Sequence, residues 1–248
     1  MLAKNLIVSL LLCVLTMPLL AFNEEFNEVE VIERLNKMDC DVIKPRYTVI
    51  VKGYLKNYLL WNRPKAERII GRSVLYFPIF EEYIKKYNMP EDLKYLSVVE
   101  SALDPVAMSR VGALGLWQFM PETGLEVGLK INKYIDERQD PRKSTDAAMR
   151  YLRQQYRHFG SWELALAAYN GGSGRVSRAI KRGRSKNFWT IRKYLPTETA
   201  NYVPAFIAAC YVGHHFEEHG IKPTLPELDY QITETITVYD YLTFYSPF

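Results

Sequence analysis

Cysteine is scarce: the 248-residue chain holds three, which excludes a disulfide-rich mini-domain. Charge of one sign is restrained too. Lysine and arginine total 32 against 28 acidic residues, a net charge of +4. That balance suits an anionic partner but is too small to demand nucleic acid, and no nucleic-acid partner is expected. Internal repeats and low-complexity tracts are missing, and the composition excludes disorder and collagen-like repeats. No phosphate-binding glycine loop is present: Gly171-Gly-Ser-Gly174 is short, follows a helical pattern instead of a strand, and lacks the fingerprint spacing. Past the N-terminus, no segment is apolar enough to cross a bilayer.

What remains is ordinary globular material, 48% hydrophobic and 24% charged. A chain of this length has room for one large domain or two small ones and can bury its core without staples. Aromatics reach 13%, with 18 tyrosines. Tyrosine suits sugars and flat ligands, and it is equally a good core residue.

The N-terminus reads as an address. Lys4 is the only charge before Glu24, and it precedes an apolar run from Leu6 to Leu20 interrupted by Pro18. These are the n-region and h-region of a secretory signal, residues 1–21, with a cut after Ala21. An uncleaved anchor is the alternative. Leu12 before Cys13 argues against a lipoprotein. The expectation is an exported protein of the periplasm or cell envelope, with no transmembrane domain in the mature chain. Removal of the signal leaves Cys40 and Cys210. An oxidising compartment permits them to pair, but Cys210 sits in the core-like stretch 205–212, which favours two buried thiols.

The body reads as helix after helix. Arg72 to Tyr87 carries Leu75, Ile79, Tyr83 and Tyr87 at a four-residue spacing, and Asn88-Met89-Pro90 stops it. Leu93, Leu96 and Val99 form the next apolar stripe. Asp140-Pro141 is a helix start, with Asp as cap and Pro in the first turn. Ala147, Ala148, Tyr151, Leu152 and Tyr156 follow as a buried face, and Gly160 ends the helix. Ser161 caps another helix with Glu163 in its first turn, ending at Gly171-Gly172. A last helix runs from about Thr197 to His219, bent by Pro204. The expected organisation is one mainly α domain over 22–220. An extended tail over 221–248 alternates like a strand from Tyr230 to Tyr239.

Glu100 is the first residue that carries chemistry. The apolar run Leu93-Lys-Tyr-Leu-Ser-Val-Val99 delivers it to a point where Asp104-Pro105 breaks the helix. Apolar flanks desolvate a carboxyl and raise its pKa, as a general acid near neutral pH requires. Ser101 is placed to orient it. Alone, Glu100 reads rather as a partly exposed helix-end glutamate in a salt bridge, because such residues are common. Gln118 is the one polar side chain among Leu116, Trp117, Phe119 and Met120. A lone amide there needs a partner, either a structural hydrogen bond or a sugar group beside Trp117. Tyr169 and Asn170 end a helix at a glycine turn, which reads as plain capping or as an approach for a ligand. His215 and His219 are spaced like metal ligands, but in His-Phe-Glu-Glu-His the glutamates are misplaced for a zinc-protease motif. No metal is expected. The basic run Lys181–Lys186 reads as a solvated loop.

Tyr95-Leu-Ser-Val-Val-Glu-Ser101, Gly115-Leu-Trp-Gln-Phe-Met-Pro121, Ala168-Tyr-Asn170 and Asn201-Tyr-Val-Pro204 occur in order. With these four motifs the chain resembles the soluble-lytic-transglycosylase superfamily, and in particular its D-type membrane-bound branch, over about 72–219. The resemblance implies a lysozyme-like fold, peptidoglycan glycan strands as partner, and no cofactor. It implies that Glu100 is the sole catalytic acid and base. It places Ser101 and Ser109 around that glutamate or the substrate, Gln118 as the motif amide, Tyr169 and Asn170 along the glycan site, and Tyr202 against the N-acetyl group and Glu100. Trp117 stands where many members have methionine, which implies an altered cleft wall. D-type relatives often carry C-terminal LysM modules, and no such module is seen in this sequence.

Ordinary glycosidases need two carboxyls. Asp104 lies one helical turn from Glu100, but Asp-Pro is a natural terminator and a structural role is expected of it. The resemblance implies substrate assistance instead, with a 1,6-anhydro product. A hydrolytic muramidase and a non-catalytic glycan binder are the rivals. The address makes the first prediction: N-terminal sequencing of the mature protein begins near Phe22. Recovery of intact Met1 in a cytoplasmic fraction would overturn it.

Overall fold

The structure is a computed structural model that describes residues 26–225. The expected signal at 1–21 and the alternating stretch at 230–239 lie outside those residues. Among the described residues there is no β-strand, only isolated bridges such as Met108 with Leu114 and Leu114 with Phe119. The fold is mainly α, as the sequence pattern indicates.

The helices in chain order are α1 (Glu28–Lys37), α2 (Val49–Lys56), α3 (Arg63–Lys86), α4 (Leu96–Ser101), α5 (Pro121–Glu126), α6 (Pro141–Phe159), α7 (Trp162–Gly171), α8 (Ser173–Gly183), α9 (Phe188–Ile191) and α10 (Thr197–His215). A π-helical turn, Asn57–Trp61, joins α2 to α3, and a 3-10 turn, Glu91–Tyr95, leads into α4. Starts are capped where sequence chemistry provides an acceptor. Thr48 accepts from the Val51 N–H, and Asp140 accepts from those of Arg142 and Lys143.

Helix α10 organises the rest. Tyr202 to Val212 is buried on every face, as expected of a helix apolar all round. It packs against α2, α4 and α7, while α6 packs on α3 and α7. Pro204 lies inside it and the helix runs on unbroken. A proline has no N–H to offer the carbonyl four residues back. Here that carbonyl, of Ala200, accepts instead from Arg192 Nε at 2.6 Å, and Arg192 Nη2 donates to Asn201 Oδ1 at 2.7 Å.

Several boundaries and faces differ from the sequence reading. α3 begins at Arg63, with Pro64 in its first turn, rather than at Arg72. α10 ends at His215, and a turn carries the chain to Gly220. Tyr156 is not on the buried face of α6; it is exposed and stacks on Trp162 at 4.2 Å between centroids. Ser161 stands at the start of α7 without capping it, because its hydroxyl donates to the Glu163 carboxylate at 2.6 Å. Cys210 is buried, but Cys40 is only half-buried, and both thiols are free.

Trp117 corrects the expectation of an aromatic cleft wall. It is 0% exposed. Its ring lies 4.9 Å from that of Phe80, and Nε1 donates to Thr145 Oγ1 at 2.9 Å. An indole can be buried so deeply only because its one donor is satisfied. Trp117→Ala therefore opens a core cavity and removes one donor from Thr145 Oγ1, whose own proton stays on the Pro141 carbonyl at 2.5 Å. The expected loss is about 3–5 kcal/mol of stability, read as a lower urea midpoint; an unchanged midpoint would contradict the placement.

Candidate active site

The short helix α4 is fixed before it delivers anything. Leu96 and Val98 are buried, and Ser97 Oγ donates to the Leu116 carbonyl at 2.8 Å. The Ser101 hydroxyl reaches the same carbonyl at 3.0 Å and Ser97 O at 3.1 Å. Ser101 thus ties α4 to the loop 112–119 rather than orienting Glu100. After it the chain enters the left-handed region twice, at Ala102 (φ 55°) and Leu103 (φ 58°). Each such residue costs about 1–2 kcal/mol. The complete burial of Leu103 and the Arg72 Nη1 bond to the Ala102 carbonyl oppose that cost. Two adjacent strained residues beginning two positions after a carboxyl are the kind of outlier that points to a functional site.

Asp104 does not join Glu100. One of its oxygens accepts the Val106 N–H at 3.1 Å, and the other pairs with Arg72 at 3.4 Å. Its role is structural, as its Asp-Pro context indicates.

The facing loop is clamped from below. Arg138 is 7% exposed, bonds the carbonyls of Gly112 and Phe119 at 2.8 and 3.0 Å, and pairs with Asp136. At Gly115 (φ 84°) an added Cβ would sit 2.0 Å from the Arg138 carbonyl oxygen, so only glycine fits. The loop holds Gln118 at φ 49°. Both donors of the Gln118 amide are spent on backbone carbonyls, Ala107 at 2.8 Å and Gly115 at 2.9 Å. Its amide oxygen remains for a ligand. Ser109 Oγ accepts the Ala113 N–H at 2.9 Å, which leaves its proton to donate elsewhere.

Helices α7 and α10 close the far side. Tyr169 donates to the Trp117 carbonyl at 2.7 Å, and its ring packs against Tyr151 and Phe119. Asn170 accepts from Thr199 Oγ1 at 2.8 Å and donates to Glu198 Oε1 at 3.1 Å. Gly171 serves helix packing rather than ligand approach, since a Cβ there would lie 2.6 Å from Thr199 Oγ1. From α10, the Tyr202 hydroxyl donates to Glu100 Oε1.

These elements enclose a cleft of about 820 Å³. Glu100, Ser101, Ser109, Gln118, Tyr169, Asn170 and Tyr202 all line it; Trp117 and Asp104 do not. Burial raises the Glu100 pKa to about 7, opposed by the Tyr202 hydrogen bond and reinforced by the Glu198 carboxylate. The Tyr169 and Tyr202 hydroxyls are pushed well above their ordinary values, chiefly by burial. Both stay protonated donors. A slightly larger hollow of about 910 Å³, between α1 and residues 217–220, contains no comparable acid.

Sequence reasoning missed part of the lining. Glu198 and Asn201 sit in the first turns of α10, where they pass for helix-end polarity. Tyr54, Asn57, Tyr58 and Lys65 also line the cleft. Tyr54, Asn57 and Tyr58 share one helix face at i, i+3 and i+4, but their residue types are ordinary on any such face and do not mark it.

Residues 78–192 match the Transglycosylase SLT domain family. The membrane-bound lytic murein transglycosylase D of Escherichia coli (strain K12) is 39% identical over 182 residues, 71% of this chain and 37% of that protein. The soluble lytic murein transglycosylase of the same strain is 31% identical, over 69% of this chain and 29% of its own length. The chain thus spans about a third of the length of those relatives. A protein of Alteromonas sp. (strain M-1) named for tributyltin chloride resistance is 34% identical over 66% of this chain and 77% of its own length. The solved 70-kDa soluble lytic transglycosylase, in complex with bulgecin A, superposes with a TM-score of 0.52 at 23% identity. It covers 79% of this chain and 31% of that one, and so shares its fold. With its ordered motifs gathered on one lysozyme-like cleft, the chain belongs to the lytic transglycosylase superfamily that the SLT domain defines.

Proposed function

We propose that this protein is an exported peptidoglycan lytic transglycosylase. It would cleave the β-1,4 bond between N-acetylmuramic acid and N-acetylglucosamine without water and leave 1,6-anhydromuramoyl ends. The observation that carries this reading is a single desolvated acid, Glu100, whose pKa of about 7 lets it hold a proton near neutral pH and also release it. The names of the lytic murein transglycosylases support the substrate class. Among the described residues no helix is long and apolar enough to cross a membrane; the reading of export to the periplasm or cell envelope rests on the N-terminal sequence pattern.

The chemistry runs through one carboxyl. Glu100 gives its proton to the glycosidic oxygen as the bond to the muramoyl anomeric carbon breaks. The substrate's acetamide oxygen stabilises the oxocarbenium-like carbon, which removes the need for a second protein carboxylate. Glu100, now ionised, keeps the Tyr202 hydrogen bond on Oε1. It then takes the proton of the C6 hydroxyl, whose oxygen attacks the anomeric carbon. The nucleophile is already part of the ring, so its effective concentration is very high. Proton count is restored and no water is consumed.

One observation favours keeping a hydrolytic reading in the test. Glu198 lines the same cleft and acts on the Glu100 pKa. If water is the nucleophile, Glu198 is the available second carboxylate, in place of Asp104.

Glu100→Gln keeps the shape and removes the proton. Release of muropeptides from sacculi is expected to fall by about a thousandfold or more, with the fold intact by circular dichroism. Wild-type products should be one water lighter than reducing ends and resist borohydride. Normal-mass, reducible ends would make the enzyme a muramidase.

The raised pKa has two further consequences. The acid must be protonated for the first step, so kcat/KM should decline as pH rises past about 7. Glu198→Gln removes a like charge and should move that decline to lower pH while activity persists; complete loss would favour the hydrolytic reading. Between 4.5 and about 7 the folded state also holds a proton that the unfolded chain releases. Stability contributed by that proton is therefore lost as pH rises through the window. Calorimetry of Glu100→Gln should show a higher Tm than wild type above about pH 8 and no difference below about pH 4.

A further inference from the structure

One wall of the cleft is formed by Tyr54, Asn57, Tyr58 and Lys65, from α2, the π-helical turn and the start of α3. These residues precede the stretch 78–192 that matches the SLT domain. Tyr54, Asn57 and Tyr58 stand at i, i+3 and i+4, the spacing of one helix face, and the π-helical run Asn57–Trp61 leads from them towards Lys65. π-turns inside helices recur at functional sites. The turn is braced by Asn62 Nδ2, which donates to Asn57 Oδ1 at 2.9 Å. That spends the amide oxygen of Asn57 and leaves its N–H donors.

Charge separates this wall from the rest of the cleft. The other ionisable side chains lining it are carboxylic acids, Glu100 and Glu198, and tyrosines; Lys65 is the one cation. Lys65 is exposed, and its ammonium makes no ion pair or hydrogen bond among the described residues. The hydroxyls of Tyr54 and Tyr58 have no hydrogen-bond partner among them either, and burial pushes the Tyr58 phenol up to about 12, so it remains a donor. The basic run 181–186 does not line the cleft at all.

Resting on the reading above, we propose that the 54–65 wall is a specificity element for the peptide stem of the glycan, with Lys65 pairing with a stem carboxylate. In stem-bearing strands the muramoyl lactyl group is tied up as an amide and the sugars are neutral, so the anionic groups are the free carboxylates of the peptide. A lone ammonium facing the cleft complements that chemistry. The Asn57 amide and the two phenols add donors suited to peptide carbonyls. An exposed lysine is a hydrated point charge, so the effect is modest and salt-sensitive.

The test uses soluble uncrosslinked glycan strands with native stems, and the same strands with their stem carboxylates converted to amides. Binding is measured by titration in the Glu100→Gln background, where nothing is turned over. Lys65→Met should weaken binding of native strands by about three- to fivefold and leave binding of amidated strands unchanged. Lys65→Arg should restore the native affinity, and the native–amidated difference should shrink at high salt. Equal weakening toward both strands, or toward neither, would overturn the proposal. Matching thermal unfolding of the Lys65 variants excludes a folding effect. Because no cleavage occurs in this assay, its outcome is separate from that of the product analysis, which alone judges the transglycosylase reading.

Discussion

A carboxyl held out of water at neutral pH keeps its proton unless something favours its charge. In this molecule the competition is settled at Glu100 by burial on one side and the Tyr202 hydroxyl on the other. The two residues stand 102 positions apart in the chain. Much of the architecture can be read as the means of holding them together. Tyr202 has to be delivered by a helix that cannot rotate, and α10 cannot, because its middle is apolar on every face and walled in by α2, α4 and α7. Glu100 has to end a helix that cannot slide, and α4 is pinned through Ser97 and Ser101 to the Leu116 carbonyl. The hydrogen bond alone would draw the acid back toward an ordinary value. Burial outweighs it and leaves a group near neutrality.

The floor of the cleft follows from the same need. The loop 112–119 lies between the acid and the core, and its side chains divide sharply. Trp117 points down and is consumed by packing, with its one donor on Thr145. Gln118, the next residue, lines the cleft with its donors already committed. The Trp117 carbonyl in turn anchors Tyr169. One segment thus fixes both the core below and two sides of the site above, and Arg138 secures it from beneath.

The helical class and most helix ends were legible because they depend on local chemistry: Asp140-Pro141, Gly160 and Gly171-Gly172 each did what their residue types dictate. Glu100 was legible as a candidate because its desolvation is written in its apolar neighbours. What misled was direction. Trp117 and Gly171 belong to runs that look ligand-facing, yet one faces Phe80 and the other makes room for Thr199. Only a three-dimensional packing arrangement decides which way an apolar loop turns. Ser101 failed for a related reason: a hydroxyl in a helix end is as readily claimed by a backbone carbonyl four residues back as by a neighbouring carboxyl. The 54–65 wall was silent because tyrosine, asparagine and lysine at helical spacing are ordinary on any helix face.

Pro204 and Arg192 illustrate how such a frame can change over evolutionary time. The ring deprives the Ala200 carbonyl of its helical donor, and the guanidinium supplies one from a different segment. The dependence runs one way: a carbonyl has two lone pairs and can accept the guanidinium and a helical N–H together, whereas the proline without the arginine leaves a carbonyl with no donor. Together they are an ordinary hydrogen bond displaced from within a helix to between two segments. A lineage can therefore shed the proline first without penalty, but the arginine cannot go while the proline remains.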